Sequence, residues 1–224
     1  NRGKESVELD VKSDEGRAVM AALLARADVF VQNLAPGAAE RLGLDAPGLL
    51  ARHRRLICCS VSGYGPDGPY AGKKAYDLLV QCEAGLLSVT GTPDVPCKAG
   101  ISVADIAAGM YAYTGVLTAL YERERTGRGS SFTVSLLDAL GEWMTQPYLY
   151  TVYGGREPRR TGARHASISP YGPYQARGGE VFIGLQNERE WAVLCDQVLA
   201  RSDLITDERF TTNPDRVKHD DELT

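Results

Sequence analysis

The sequence predicts an α/β fold: a Rossmann-like domain built on a parallel sheet, followed by a smaller α+β domain. Three observations carry this. Short apolar runs at 29–31 and 56–61 alternate with stretches whose apolar residues recur at helical spacing, the pattern of strands joined by helical crossovers. Glycine and proline cluster directly after these runs, where the carboxyl ends of parallel strands would lie and where open α/β sheets bind ligands. A basic, proline-containing stretch from Arg156 to Ala163 then separates two regions of different pattern. The expected division is a large domain over 1–155 and a linker with the start of a small domain over 156–224.

Val7, Leu9 and Val11 alternate with Glu8 and Asp10, a period of two that predicts a strand. Asp14 offers an N-cap to a helix with apolar positions Val19, Met20, Leu23 and Leu24. Val29-Phe30-Val31 predicts a short strand before a Pro-Gly break, and helical stretches around 38–42 and near Leu49-Leu50 lead to a second buried strand over 56–61. The crossover between them is expected to be right-handed. Residues 62–72 form a loop, 78–89 a buried helix, and 90–100 a second loop with two prolines. A long helix over about 104–125 stops at Thr126-Gly127, where glycine tolerates the left-handed turn that ends a helix. Phe132, Val134 and Leu136 alternate as a strand before a helix over 138–145. Beyond the linker, a Gly178-Gly179 turn leads into a strand at Val181-Phe182-Ile183 and a helix over 188–200.

Composition bounds the function. With 43% apolar and 24% charged residues in 224, the chain is ordinary globular material. A net charge of −4 provides no basic field, so nucleic acid is not an expected partner. Arg52-His53-Arg54-Arg55 and the arginines of 156–160 are read as solvated faces. Five cysteines, at 58, 59, 82, 97 and 195, show no CxxC or Cys/His metal spacing, so no metal site is expected and a reduced, cytoplasmic compartment is. Cys58-Cys59 lies in an apolar run and is read as packing material. No run approaches 18 apolar residues, and no membrane association is expected. The chain opens on Asn1 without Met and stops at Asp221-Glu222-Leu223-Thr224, where a helix is read as starting; the expectation is a piece of a longer protein.

Asp105 stands at the predicted start of the long helix. There the unpaired backbone N–H groups and the helix dipole favour a negative charge by about 0.3–1 kcal/mol, so the carboxylate is expected to stay ionised. An ionised, desolvated carboxylate can attack a thioester carbonyl. Aspartate is equally common in first helical turns for capping alone. Arg41 has the rigid fork that suits a phosphate and Lys74 is a compact positive charge, although either could be a plain surface residue; Lys73 beside it is read as an unpaired loop lysine. The Gly63-Tyr64-Gly65 loop is read as shaping a pocket.

Read in order, Leu9-Asp10-Val11-Lys12, Asn33-Leu34-Ala35-Pro36-Gly37 with Arg41, Ser62-Gly63-Tyr64-Gly65-Pro66, Lys74-Ala75-Tyr76-Asp77, Val103-Ala104-Asp105-Ile106 and Pro170-Tyr171-Gly172 resemble the family III CoA-transferases of the CaiB/BaiF type. These share a fold with the formyl-CoA transferases and α-methylacyl-CoA racemases, and the resemblance covers almost the whole chain. It implies an acyl-CoA:carboxylate CoA-transferase of the EC 2.8.3 type, with Asp105 as the nucleophile. It also implies coenzyme A contacts at Leu9, Asp10, Val11, Lys12, Asn33, Leu34, Ala35, Arg41, Lys74, Ala75, Tyr76 and Asp77, a small carboxylic acid as second substrate, and an interlocked homodimer.

In the racemase branch the residue matching Tyr76 is a histidine that, with the following aspartate and the nucleophile-position aspartate, forms an acid/base set. Tyrosine, with a pKa near 10, is a poor base at neutral pH, which favours transfer. His165 lies where some relatives carry a glycine-rich loop that this chain lacks; it is read as a substrate contact or a surface residue. A 2-methylacyl-CoA racemase or isomerase and a non-catalytic CoA-binding piece remain as alternatives. No GxGxxG follows any predicted strand, which argues against a dinucleotide-dependent dehydrogenase.

Overall fold

A computed structural model describes residues 2–223. The chain divides into two compact units, Asn1–Leu86 with Ala99–Gln146, and Leu87–Lys98 with Pro147–Thr224. The expected single boundary at 155/156 is therefore placed differently. Arg160, read in the sequence as part of a solvated linker, donates from Nε to Thr92 O at 2.8 Å and from Nη2 to Pro93 O at 2.7 Å, which fastens the 87–98 loop into the second unit.

In the first unit, strands β1 (Val29–Gln32), β2 (Ile57–Ser62) and β3 (Ser131–Ser135) form a parallel sheet in that order. Its register pairs Val31 with Cys59 and Cys59 with Phe132. Helices α1 (Asp14–Leu24), α2 (Ala38–Arg41) and α3 (Ala46–Arg52) surround β1 and lead into β2. Helices α4 (Asp77–Glu83) and the 24-residue α6 (Val103–Thr126) lie between β2 and β3, α7 (Leu136–Trp143) follows, and α5 (Leu86–Val89) falls in the second unit from Leu87 on.

The core lies on both faces of the sheet. Cys58 packs with Leu24, Ala39, Leu44, Leu49 and Leu56 of the α1–α3 side. Side chains alternate along a strand, so Val61 turns the other way, onto Tyr64, Val80, Ala104, Ala107, Ala108, Leu136, Ala139 and Leu140. Four of that cluster's eight buried residues are alanines, three of them on α6, and farther along α6 a Cβ on Gly115 would lie 2.5 Å from the Phe132 ring, so glycine permits the close approach. At the opposite end of α6, Arg123 pairs with Asp28 at 3.0 Å and donates to Arg55 O at 3.1 Å. Helix α6 is long and apolar enough to cross a membrane by length and composition, yet its alanines are core residues here. Its other face exposes Ile106, Met110, Tyr113, Leu117 and Tyr121, spaced as one stripe.

The second unit holds part of α8 (Thr145–Gly154), the antiparallel hairpin of β4 (Tyr171–Ala176) and β5 (Gly179–Gly184), α9 (Glu188–Val193) and α10 (Asn213–Lys218). Trp191, Leu194, Cys195 and Phe210 form its core. Buried Arg216 donates to Ser169 O at 2.9 Å and pairs with Glu188 at 2.6 Å.

Several expectations are corrected. Residues 4–10 form no strand; the alternation is real, but among the described residues no strand pairs with them and Val7 is exposed. Ser13, not Asp14, caps α1, its hydroxyl accepting from Gly16 N at 3.0 Å. The helix expected over 78–89 breaks at Gly85, which takes φ +83°. Leu136 opens α7 rather than ending β3, because the Ser135 hydroxyl caps that helix by accepting from Asp138 N at 2.9 Å. The helix over 188–200 passes at Leu194 into a π-helical turn that ends at Val198. Residues 146–154, unassigned in the sequence, belong to the helix Thr145–Gly154. The helix expected to begin at 221–224 is a 3₁₀ turn over Asp220–Leu223; Thr224 lies outside the described residues.

Candidate active site

The site is assembled at the carboxyl ends of β1 and β2, where the sequence places its loops. After β1, the Asn33 side chain donates to Val61 O at 2.8 Å and ties the two strand ends together. Its amide is thus spent inside the fold, and Leu34 N donates to Gln32 Oε1 at 2.6 Å. Val11, Asn33 and Leu34 line a cavity of about 310 Å³ with Met20, Phe30, Val31, Leu42 and Leu44. This is an apolar slot within the usual size of ligand pockets. Arg41, next to Leu42, is exposed; its guanidinium lies 2.9 Å from where a Cβ on Gly37 would stand, and Gly37 has φ +71° at the start of α2. Among the described residues the Arg41 guanidinium has no hydrogen-bond or ion-pair partner, while its backbone N donates to Gly37 O at 3.4 Å.

Asp10 holds the turn that leads into α1. Its carboxylate accepts from Lys12 N at 2.9 Å and its carbonyl from Ser13 N at 3.1 Å, which shapes the turn into α1. Leu9, Asp10, Lys12 and Ala35 do not line the slot.

After β2 the 63–76 loop folds over the sheet end. Gly63 is required by contact: a Cβ there would lie 2.1 Å from the Ala75 Cβ. This draws the Lys74–Asp77 segment against the end of β2. Lys73 is not the unpaired lysine expected from the sequence. It pairs with Glu83 and sits 4.2 Å from the Tyr70 ring centroid and 5.2 Å from that of Tyr64, which pins the loop to α4. Lys74 and Tyr76 are exposed.

Asp77 is turned inward. Its Oδ1 accepts from Ala104 N at 2.8 Å and from Asp105 N at 3.3 Å, and its Oδ2 from Gln81 Nε2 at 2.6 Å. Ser102, the residue at the N-cap position of α6, makes no side-chain cap bond, so Asp77 supplies the cap from another helix. Gln81 is fully buried and its Oε1 accepts from Ala99 N at 2.9 Å.

Asp105 therefore does not use the free N–H groups of its helix end, as the sequence suggested, because Asp77 takes them. Its carboxyl is pushed above the ordinary value, first by partial desolvation and then by the negative charge of Asp77. Among the described residues its oxygens accept no hydrogen bond. The result is an accessible carboxylate of raised basicity on a rigid helix.

His165 and Cys58 make structural contacts. His165 stacks on Tyr171 at 5.1 Å and its Nδ1 accepts from Ser167 N at 3.2 Å. Burial pushes the Cys58 thiol up to about 11, consistent with packing rather than chemistry.

A family model described as CoA-transferase family III matches residues 1–224. The chain belongs to CoA-transferase family III. It is 37% identical over its full length to the acetyl-CoA:oxalate CoA-transferase of Acetobacter aceti, covering 58% of that protein. It is 36% identical to the succinate–glutarate CoA-transferase of Agrobacterium fabrum, over 98% of this chain and 55% of the relative. The structure superposes on a CaiB/BaiF family protein from Brucella suis with a TM-score of 0.86 at 36% identity, over all of this chain and 59% of the other. This family III chain thus spans a little over half the length of these relatives.

Gln81, Ala99 and the apolar wall of the slot were not read in the sequence. Gln81 carried a usable signal: it lies four residues after Asp77 in a helix, the spacing at which Gln and Asp side chains meet.

Proposed function

We propose that the complete protein carrying this chain moves CoA from an acyl-CoA donor to a small free carboxylic acid through covalent intermediates on Asp105. The observation that carries this is the division of labour between two neighbouring carboxylates: that of Asp77 is held by three donors, and that of Asp105 accepts no hydrogen bond among the described residues and has its pKa raised.

Attack by an Asp105 oxygen on the thioester carbonyl breaks the C–S bond, giving an acyl-aspartyl anhydride and CoA thiolate. The thiolate then attacks the aspartyl carbonyl, releasing the donor acid as its carboxylate and leaving an aspartyl-CoA thioester. An incoming carboxylate repeats the two steps in reverse, so the new acyl-CoA departs and Asp105 is restored. No proton is consumed and no electron changes hands. Ground-state desolvation and repulsion by Asp77 are relieved as the Asp105 charge passes to the leaving thiolate.

We assign the CoA moiety to the slot lined by Val11, Asn33 and Leu34, with the exposed Arg41, beside Leu42 in the chain, as the partner for a phosphate and the Lys74–Asp77 segment as the contact nearer the thioester. The exposed stripe on α6 supports burial in an interlocked homodimer. Five free cysteines fit a cytoplasmic setting. Racemisation is disfavoured because the Asp77 oxygens are engaged and Tyr76 points to solvent.

The test is to incubate the complete protein with succinyl-CoA or acetyl-CoA and a panel of acids that includes oxalate and glutarate, and to follow acyl-CoA species by mass spectrometry. A new thioester formed one-for-one at the donor's expense supports the proposal. Loss of an α-deuteron without acyl exchange would instead select a racemase, and CoA binding with neither a non-catalytic role.

A further inference from the structure

The Asp77 carboxylate caps α6 from another helix with one oxygen, and the side chain of Gln81 holds the other. Gln81 is fully buried on α4 and spends both ends of its amide: Nε2 donates to Asp77 Oδ2 at 2.6 Å, and Oε1 accepts from Ala99 N at 2.9 Å. Turning Asp77 away would strand the N–H groups of Ala104 and Asp105 and leave the Gln81 amide donor unpaired in the core, so the three segments hold one another in register. A misplacement of about 1 Å at a reacting group can cost about a hundredfold in rate.

We propose that Gln81 is a positioning residue for the nucleophile: it locks the Asp77 carboxylate against the first turn of α6 and thereby aims Asp105 at the substrate carbonyl. Gln81 itself touches neither substrate nor the reacting atoms. The inference rests on Asp105 being the nucleophile.

The experiment uses the complete protein and steady-state kinetics with the best donor and acceptor found. Gln81→Glu deletes the donor to Asp77 while keeping volume and the acceptor for Ala99 N; Gln81→Leu deletes both. For each, kcat falls by about tenfold or more, while KM for the acyl-CoA stays within about twofold, a split that general loss of folded protein does not produce. Adding Gln81→Leu to Asp77→Asn lowers kcat no further than Asp77→Asn alone, because both act through one contact.

Unchanged kcat in Gln81→Glu, or fully additive losses in the double variant, would overturn the proposal, as would failure of both single variants to fold, since Gln81 would then be structural only. Asp105→Asn in parallel separates the two ideas. If it keeps full activity, the nucleophile assignment falls; if it is inactive while Gln81→Glu is normal, only the positioning role falls.

Discussion

The Asp77 carboxylate caps the helix on which Asp105 stands, accepting the backbone N–H groups of Ala104 at 2.8 Å and of Asp105 at 3.3 Å. One carboxylate is spent on structure, and its charge helps raise the pKa of the other. Two acidic residues 28 positions apart thus acquire different roles from environment alone.

Removing the cap should cost stability. Asp77→Ala orphans two helix N–H groups and the Gln81 amide, and should destabilise the fold by about 1–2 kcal/mol. Urea denaturation measures this, with Asp67→Ala, at an exposed position of the 62–72 loop, as the neutral control.

The Gly63–Ala75 contact should be specific. Gly63→Ala places a methyl 2.1 Å from the Ala75 Cβ, where neither side chain can move aside, so about 1–3 kcal/mol of stability is lost and CoA binding weakens as the 74–77 segment shifts. Adding Ala75→Gly should recover most of both losses, which calorimetry and CoA titration would register.

Arg41 should act on binding and not on turnover. Arg41→Gln should raise KM for the acyl-CoA by about tenfold with kcat little changed, the size expected for a lost charged contact to a phosphate. The wild-type KM should rise with ionic strength more steeply than that of the variant.

Asp105 should cost the fold something at neutral pH. A carboxyl whose folded pKa lies above its ordinary 3.8 binds its proton more tightly when folded, so it penalises folding when ionised. The penalty fades as pH falls through the folded value toward the unfolded one. Asp105→Asn should therefore raise Tm at pH 7 by roughly a degree, since the group is largely exposed, and the difference should vanish near pH 3.5. A Tm difference that grows on acidification would contradict this.

Much of this was legible in the sequence because it depends on local pattern. The strands over 29–32 and 57–62, the long helix ended by Gly127, and the loops at strand ends follow from periodicity and glycine placement. What was not legible depends on contacts distant in sequence. The Asp77 cap reaches across 27 residues to Ala104, and Arg160 reaches back 68 to Thr92, which moves the division between units. The expected strand over 7–11 failed for the same reason, because alternation marks a strand but cannot provide its neighbour. Of the residues read as CoA contacts, Val11, Asn33 and Leu34 meet at one slot, while Asp10 serves a turn.

The most direct measurement is to trap the reacting protein. The complete protein is mixed with the donor acyl-CoA and no acceptor, quenched with hydroxylamine, and its peptides mapped by mass spectrometry. The account predicts a hydroxamate on Asp105 that is absent without donor and absent in Asp105→Ala. A donor that turns over while Asp105 stays unmodified, or an adduct on another residue that survives Asp105→Ala, would contradict it.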